Sequence, residues 1–191
     1  MPKENIERAI AKGAGTDADG SNFETIVYEG YGPEGVAVLV EALTDNRNRT
    51  ASEVRHLFSK HGGNLGTTGA VAWQFERRGV VLVPTEGVDE DELLLVAAEA
   101  GADDVERDGS SYVVSIPPDA FAAVRKAVEA AGFPVESVEL AMVPSSTVAI
   151  SDEGAARKLL RLMEGLEEAE DVQDVYANFD IPEDVLETAA R

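Results

Sequence analysis

The sequence contains no cysteine, only two histidines and a single tryptophan among its 191 residues. The absence of cysteine excludes disulfides, thiolate nucleophiles and cysteine-ligated zinc or iron–sulfur sites. Because His56 and His61 are the only imidazoles, we expect neither a metal centre nor a cofactor. Basic residues are also scarce: 16 Lys and Arg face 37 Asp and Glu, which gives a formal net charge of -21. Such a balance generally disfavours nucleic acid, because phosphates repel an acidic surface.

Long apolar runs are missing as well. No run approaches the roughly 18 residues that a membrane-spanning helix needs, and no basic-then-apolar leader is present. Hydrophobic residues nevertheless make up 44% of the sequence, which is enough for one or two packed cores. The composition therefore predicts a soluble, cytoplasmic protein with no membrane partner.

Charge is segregated along the chain, and one segment opposes the overall acidity. Residues 47–78 contain six cations and two acids, a balance of +4, whereas residues 1–46 sum to -6 and residues 79–191 to -19. Both histidines also fall inside the positive segment. A local excess of cations in so acidic a chain favours a functional role for that segment.

Hydrophobic periodicity predicts the elements of the first half. "MPKENIERAIAKGAG" predicts a short helix with Ile6 and Ile10 on one apolar stripe, which we expect to be loosely held. "FETIVYEGYGPEGVAVLVEALT" predicts a β-hairpin. A helix follows, for which Thr50 and Glu53 form a T-x-x-E capping box. "GAVAWQFERRGVVLVPTE" predicts two strands joined by a turn at "ERRG".

The remainder predicts the order β-α-β-β-α-β from Val80 to Pro144, with a hairpin turn at Asp108-Gly109. The elements before and after it, β-β-α-β and α-β, would complete a second sandwich. The fold class is therefore α+β: two ferredoxin-like α/β sandwich domains, one inserted in the other, preceded by the remnant of an N-terminal helical domain. The predicted boundaries are residues 1–20 for the remnant, 21–79 with 145–182 for the first domain, 80–144 for the insertion and 183–191 for a frayed tail.

The loop "DNRNRT" is the main candidate site. A helix N-terminus presents free backbone N–H groups and a partial positive charge to anions, and Arg47 and Arg49 could add bidentate phosphate contacts. The positive field would be widened by the remaining candidates, which are Arg55, His56, Lys60, Arg77 and Arg78. The alternative is an ordinary solvated helix face with a well-made cap.

Other motifs favour structural roles. "GGNLGTTG" lacks the G-K-[ST] ending of a phosphate-binding loop, so its glycines are better explained by a helix end and a tight turn. The acidic clusters "DEDE" and "EEAED" are typical of solvated surface. No arrangement of serine, histidine and acidic residues in the sequence suggests a catalytic triad. Nothing in the sequence requires an enzyme.

The segments "YEGYGPEGVAVLVEALTDNRNRTASEVRHLFSKHGGNLG" and "VPSSTVAI" resemble the YebC/PmpR family, in which "LTDNRNRT" and "GGNLG" are signatures. The match is specific from Met1 to about Gly79 and looser beyond. The resemblance implies an N-terminal helical domain and two α/β domains, one inserted in the other. Members usually carry a basic, helix-rich segment before the "MPK" that begins this chain, so that nearly all of that segment is absent here.

The same resemblance implies a non-enzymatic regulator of gene expression. Its partner would be nucleic acid, either DNA for a transcriptional regulator or ribosomal RNA on the ribosome for a translation factor. The rival hypothesis is a regulatory module that binds a small molecule or a protein, because paired ferredoxin-like domains often serve as ligand sensors and fold alone does not decide.

Overall fold

The computed structural model describes residues 22–189. Within that range the chain divides into two compact units, and residues 22–73 with 146–189 form unit 1 while Gln74–Ser145 form unit 2. The two parts of unit 1 therefore flank unit 2 in the sequence. No described helix is long and apolar enough to cross a bilayer. The helix predicted from "MPKENIERAIAKGAG" lies outside the described residues.

Unit 1 combines a four-stranded antiparallel sheet with helices. The elements of unit 1 are β1 (Glu24–Tyr31), β2 (Ala37–Thr44), α1 (Arg47–Lys60), β3 (Asn64–Leu65), β8 (Val148–Ala149), α4 (Glu153–Glu168), β9 (Val172–Ala177), β10 (Phe179–Asp180) and α5 (Glu183–Ala189). Its sheet has the order β3-β1-β2-β9, and a two-stranded parallel pair joins β8 to β10.

The core of unit 1 forms where α1 and α4 pack on one face of this sheet. Alternate residues of β2 point to that face, as the period of two in a strand requires, and they meet the apolar stripes of both helices. The fully buried members are Val36, Val38, Val40, Val54, Phe58, Ala156, Leu159, Leu162 and Leu166. The segment from Glu183, predicted as a frayed tail, forms α5, and its Val185 packs against this core.

Gly30 and Gly63 allow a close approach beneath α1. A Cβ on Gly30 would lie 2.7 Å from Phe58 Cε1 and 2.8 Å from the Asn64 carbonyl oxygen, and one on Gly63 would meet the Tyr31 backbone. Because a backbone atom cannot move aside as a side chain can, we expect Gly63→Ala to lower the free energy of unfolding by about 1–3 kcal/mol. Urea denaturation would measure the loss, and an unchanged midpoint would contradict the close packing.

Unit 2 confirms the predicted β-α-β-β-α-β order. Its elements are β4 (Phe75–Pro84), α2 (Glu90–Ala100), β5 (Asp104–Asp108), β6 (Ser111–Ile116), α3 (Phe121–Ala130) and β7 (Ser137–Pro144). The antiparallel sheet has the order β5-β6-β4-β7, which is the ferredoxin-like arrangement. The β5–β6 hairpin turns at Gly109 and Ser110, one residue beyond the predicted Asp108-Gly109, and Gly109 has the positive φ of 57° that such a turn favours.

The turn predicted at "ERRG" is wrong. Residues 76–79 lie inside β4, a strand of ten residues that pairs with β6 and β7 on its two sides. Two arginines and a glycine suggested a break, but β7 pairs with the backbone of residues 76–79 and β6 joins from Gly79 onward. Gly79 also leaves room for the ring of Phe121. As a result Arg77 and Arg78 belong to unit 2, whereas α1 belongs to unit 1.

Candidate nucleic-acid interface

The start of α1 is fixed by a side chain other than the predicted cap. Asn46 is the N-cap, and its side-chain oxygen accepts a hydrogen bond of 3.1 Å from Arg49 N. Thr50, predicted as the cap, lies one turn inside the helix and is buried. The predicted capping box of Thr50 and Glu53 is therefore wrong, because asparagine caps as well as threonine does and here stands four residues earlier.

Thr50 instead belongs to a buried polar cluster centred on Asp171. Its hydroxyl lies 2.8 Å from Asp171 Oδ2, and the Thr44 hydroxyl lies 3.3 Å from the same oxygen. Arg49 Nη2 donates to it at 2.9 Å. The Asp171 side chain is only 4% exposed, so these donors replace the water it has lost.

The pKa of Asp171 lies below the ordinary aspartate value. Burial alone would raise it and is the largest single influence, but the hydrogen bonds from Arg49 and Thr50, the charge of Arg49 and the hydrogen bond from Thr44 together outweigh it. The carboxylate is thus held in its ionised form by partners from β2 and α1.

Arg49 is therefore a structural cation, which the sequence did not predict. Its guanidinium binds Asp45 as well as Asp171, although half of its side chain remains exposed. Arg47 is more open, with its Nε 3.5 Å from Glu24 Oε1 and its side chain 67% exposed. The predicted loop site thus contains one arginine already engaged by two carboxylates and one that is mostly exposed and contacts a single carboxylate.

The exposed face of α1 carries cations and no carboxylate at its centre. At about 100° per residue, Asn48, Ser52, Arg55, His56, Ser59 and Lys60 share the side opposite the buried Val54 and Phe58. Glu53 lies at the edge of this face, toward α4, where it lines a cleft with Glu168. Three of the predicted residues, Arg55, His56 and Lys60, thus fall on one side of the helix.

Helix α4 brings further cations to the end of α1. The two helices run antiparallel, because the space at Gly165 borders Leu57 and the space at Gly62, just beyond α1, borders Lys158. The amino-terminal half of α4 therefore lies beside the carboxyl-terminal end of α1. We call the resulting group the cationic cluster: Lys60, Lys158 and Arg161 carry its positive charge, and His56 and His61 lie beside them.

The electrostatics of His61 report this concentration of charge. Its pKa is lowered chiefly by burial and then by the charges of Lys60, Arg161 and His56. Lys60, Lys158 and Arg161 form no ion pair with any residue from 22 to 189. The repulsion between such unpaired cations can be relieved by an anionic ligand.

The cluster is bounded by acids on one side. A cleft of about 490 Å³ runs between α1 and α4, and it is lined by Lys60, His61 and Arg161 at the cationic end and by Glu53, Glu164 and Glu168 elsewhere. A small anion deep in this cleft would meet those carboxylates. The exposed rim formed by the cluster is better suited to a polyanion that crosses the surface.

The two predicted arginines of unit 2 are placed differently. Arg77 is exposed on β4, opposite Met142 of β7. Arg78 is largely buried and forms ion pairs with Glu76 at 2.6 Å and with Asp103. Because both arginines lie in unit 2, the argument that placed them beside α1 within one domain no longer holds.

Lys158, Arg161 and His61 were missed by sequence reasoning. A signal was present, because residues 155–163, "AARKLLRLM", contain three cations and no acid in the most acidic part of the chain. What the sequence could not provide is the neighbourhood of α4 and α1, which lie about a hundred positions apart. Among the described residues no group of three or more possible ligands could hold a metal ion.

The fold and this surface together define an α+β protein in which a ferredoxin-like unit is inserted into a second sandwich that exposes unpaired cations. A family model described as "TACO1/YebC second and third domain" matches residues 23–179. The chain therefore belongs to the TACO1/YebC family, which confirms the resemblance stated from "LTDNRNRT" and "GGNLG".

Individual relatives agree with this assignment. A probable transcriptional regulatory protein of Rubrobacter xylanophilus is 55% identical over 190 residues, which cover 100% of this chain and 76% of the relative. A probable transcriptional regulatory protein of Aquifex aeolicus is 51% identical over 187 residues, which cover 98% of this chain and 75% of the relative. The crystal structure of a conserved hypothetical protein from Aquifex aeolicus is similar with a TM-score of 0.80 and 52% identity, over 96% of this chain and 75% of that one.

Proposed function

We propose that this protein is a non-enzymatic, cytoplasmic regulator of gene expression that binds nucleic acid through the cationic cluster and the exposed face of α1. The observation that carries the proposal is the group of unpaired cations that α1 and α4 bring together in a chain of net charge -21. The names of the relatives, probable transcriptional regulatory proteins, support a role in expression. Arg55 extends the same contact, whereas Arg47 lies on the Val54 side of α1 beside Glu24, and Arg49 acts chiefly on the fold.

The contacts on this face are electrostatic. Lysine and arginine on a helix face bind phosphates and release counterions, which positions a partner without reading its sequence. DNA, ribosomal RNA and the intact ribosome all present such phosphates. Binding assays with DNA, with RNA and by sedimentation with ribosomes would separate these partners.

We expect Lys60→Gln with Arg161→Gln to weaken nucleic-acid binding. Each lost phosphate contact should lower the slope of log K against log salt by about one unit, so the double variant should lose about two. Fluorescence anisotropy of labelled DNA and RNA at several salt concentrations measures this slope. The sequence preference should not change, because no base contact is removed.

The matched control is Lys126→Gln, on the exposed side of α3 in unit 2. It removes one unpaired surface cation and should alter neither the affinity nor the slope. Equal slopes for the parent and the double variant would exclude the cationic cluster as the binding surface.

The rival hypothesis, a module that binds a small molecule, has one observation in its favour. A cleft of about 670 Å³ beside α4 is lined by Leu160, Met163, Phe179 and Arg157 among others. A protein that bound no nucleic acid at low salt, but whose melting temperature rose with a small apolar anion, would support the rival instead.

A further inference from the structure

Trp73, the single tryptophan of the chain, lies almost entirely in solvent. Its exposed fraction is 75%, the largest among the exposed large apolar residues of the described chain. It belongs to a short 3₁₀ turn of residues 72–74 in which its indole Nε1 donates to Ala70 O at 3.1 Å. Because that donor is already used, the ring presents to a partner only its apolar faces.

The loop that carries Trp73 is held in place from beneath. Both carboxylate oxygens of Glu29 accept backbone hydrogen bonds, from Gly69 N at 2.7 Å and from Val71 N and Ala72 N at 2.8 and 2.7 Å. The Tyr31 hydroxyl donates to Ala70 O at 3.2 Å. The exposure of the indole is thus a fixed property of the loop, and a ligand would bind without first ordering it.

The segment that leads to Trp73 contains no acid. Residues 54–75 have no Asp or Glu, although acids make up 37 of the 191 residues. The first acid beyond it, Glu76, is exposed but pairs with Arg78 at 2.6 Å. Glu29 lies beneath the loop, but it is buried and its charge is met by three N–H groups. A polyanion can therefore approach this segment with less repulsion than the average surface of the chain would impose.

The immediate neighbours of Trp73 do not favour a protein partner. An aromatic anchor at a protein interface is normally surrounded by other groups that exclude water. Here Val71 is fully buried, and the loop otherwise consists of small or polar residues such as Thr67, Thr68 and Ala70. A single flat ring without an apolar rim suits a ligand that binds by stacking alone.

We infer that Trp73 is a stacking platform for an unpaired base of single-stranded nucleic acid. Stacking on an aromatic ring tolerates any base and needs no hydrogen-bond donor from the protein. The inference rests on the proposed function, to which it adds the class of ligand: a strand with at least one unstacked base. The role of Trp73 differs from that of the cationic cluster because it is apolar and insensitive to salt.

The test uses the fluorescence of Trp73 itself, since no other tryptophan contributes. Titration of the whole protein with single-stranded RNA or DNA should quench the emission, whereas a fully paired duplex of the same sequence should not. Trp73→Ala should weaken single-strand binding by about five- to 150-fold, which corresponds to ~1–3 kcal/mol for one stacked base. Its salt slope should match the parent, and Trp73→Phe should retain part of the affinity.

The matched control is Leu95→Ala, which removes another apolar side chain, 59% exposed, from α2 of unit 2. It should leave single-strand affinity unchanged. If the parent binds nucleic acid but Trp73→Ala binds single strands equally well, the stacking role is wrong and the proposed function stands. If the parent binds no nucleic acid, both are wrong. Emission that shifts with protein concentration alone would show that a second copy covers Trp73, which also overturns the inference.

Discussion

Asp171→Ala is expected to lower the free energy of unfolding of unit 1 by about 1–3 kcal/mol, the cost of leaving buried hydrogen-bonding partners unsatisfied. The Thr44 and Thr50 hydroxyls would lose the charged acceptor they share, although Thr50 keeps Asn46 O at 3.1 Å. Arg49 would lose the closer of its two carboxylates. Hydrogen exchange at the buried amides of β2 and β9 reports the stability of unit 1, to which both strands belong.

The control for this variant is Asp174→Ala, an exposed aspartate on the neighbouring strand β9. Its loss should change the stability by less than about 0.5 kcal/mol. Asp171→Asn should fall between the two, because it keeps an oxygen acceptor but loses the charge. If the Asp171→Ala protein were as stable as the Asp174→Ala protein, the polar cluster around Asp171 would make no net contribution to the free energy of unfolding.

Glu29→Gln is expected to have a similar effect, about 1–3 kcal/mol at neutral pH. The glutamine amide can offer one oxygen to the N–H groups of Gly69, Val71 and Ala72, but its NH₂ group faces donors where an acceptor is needed. The loop should loosen, so hydrogen exchange at those three amides should accelerate. Glu167→Gln, an exposed residue of α4, is the matched control and should change neither quantity.

The effect of Glu29→Gln should depend on pH. Burial is the largest influence on the Glu29 pKa and would raise it, but the three backbone hydrogen bonds together lower it below its ordinary value. The stabilisation by the carboxylate is therefore complete above the unfolded-state pKa of about 4.3 and is lost as the pH falls through the lower folded-state pKa. The difference between parent and variant should shrink as the solution is acidified below about pH 4. A difference that stayed constant would contradict the assigned role.

Arg49 shows why the loop "DNRNRT" is an ambiguous place to test nucleic-acid binding. Removing Arg49 would remove a phosphate contact and a partner of the buried Asp171 at the same time, so weaker binding could follow from a disturbed helix start. Lys60 and Arg161 have no such partner among residues 22–189. Variants at those two positions therefore test the charge of the surface with less effect on its framework.

Local chemistry accounts for what the sequence predicted correctly. The βαββαβ unit follows from alternating strand patterns, from the acidic start of α2 and from Asp108-Gly109, each of which acts over a few residues. The position of "DNRNRT" between a strand and a helix is local in the same way. Predictions of this kind need no knowledge of which elements become neighbours.

The errors concern contacts between distant segments. Thr50 looked like a cap because its buried acceptor, Asp171, stands 121 positions away. The turn predicted at Arg77-Arg78 ignored β7, a strand that comes later in the chain and pairs with both residues. For the same reason the site predicted from the sequence did not include Lys158 and Arg161, because their position beside α1 depends on how α4 packs.

The placement of Asp171 also bears on the order in which the chain acquires its structure during synthesis. All the strands and helices of unit 2 have been synthesised once the chain reaches Pro144. By contrast, β2 cannot pair with β9, and Thr44 and Thr50 cannot contact Asp171, until those later residues have been made. Closing so long a loop is slow relative to forming local contacts, and domains generally fold as units while the chain emerges. We therefore expect the inserted unit to be folded while the unit that flanks it in the sequence still lacks β9, an edge strand of its sheet, so that unit 1 is the last to become resistant to proteases.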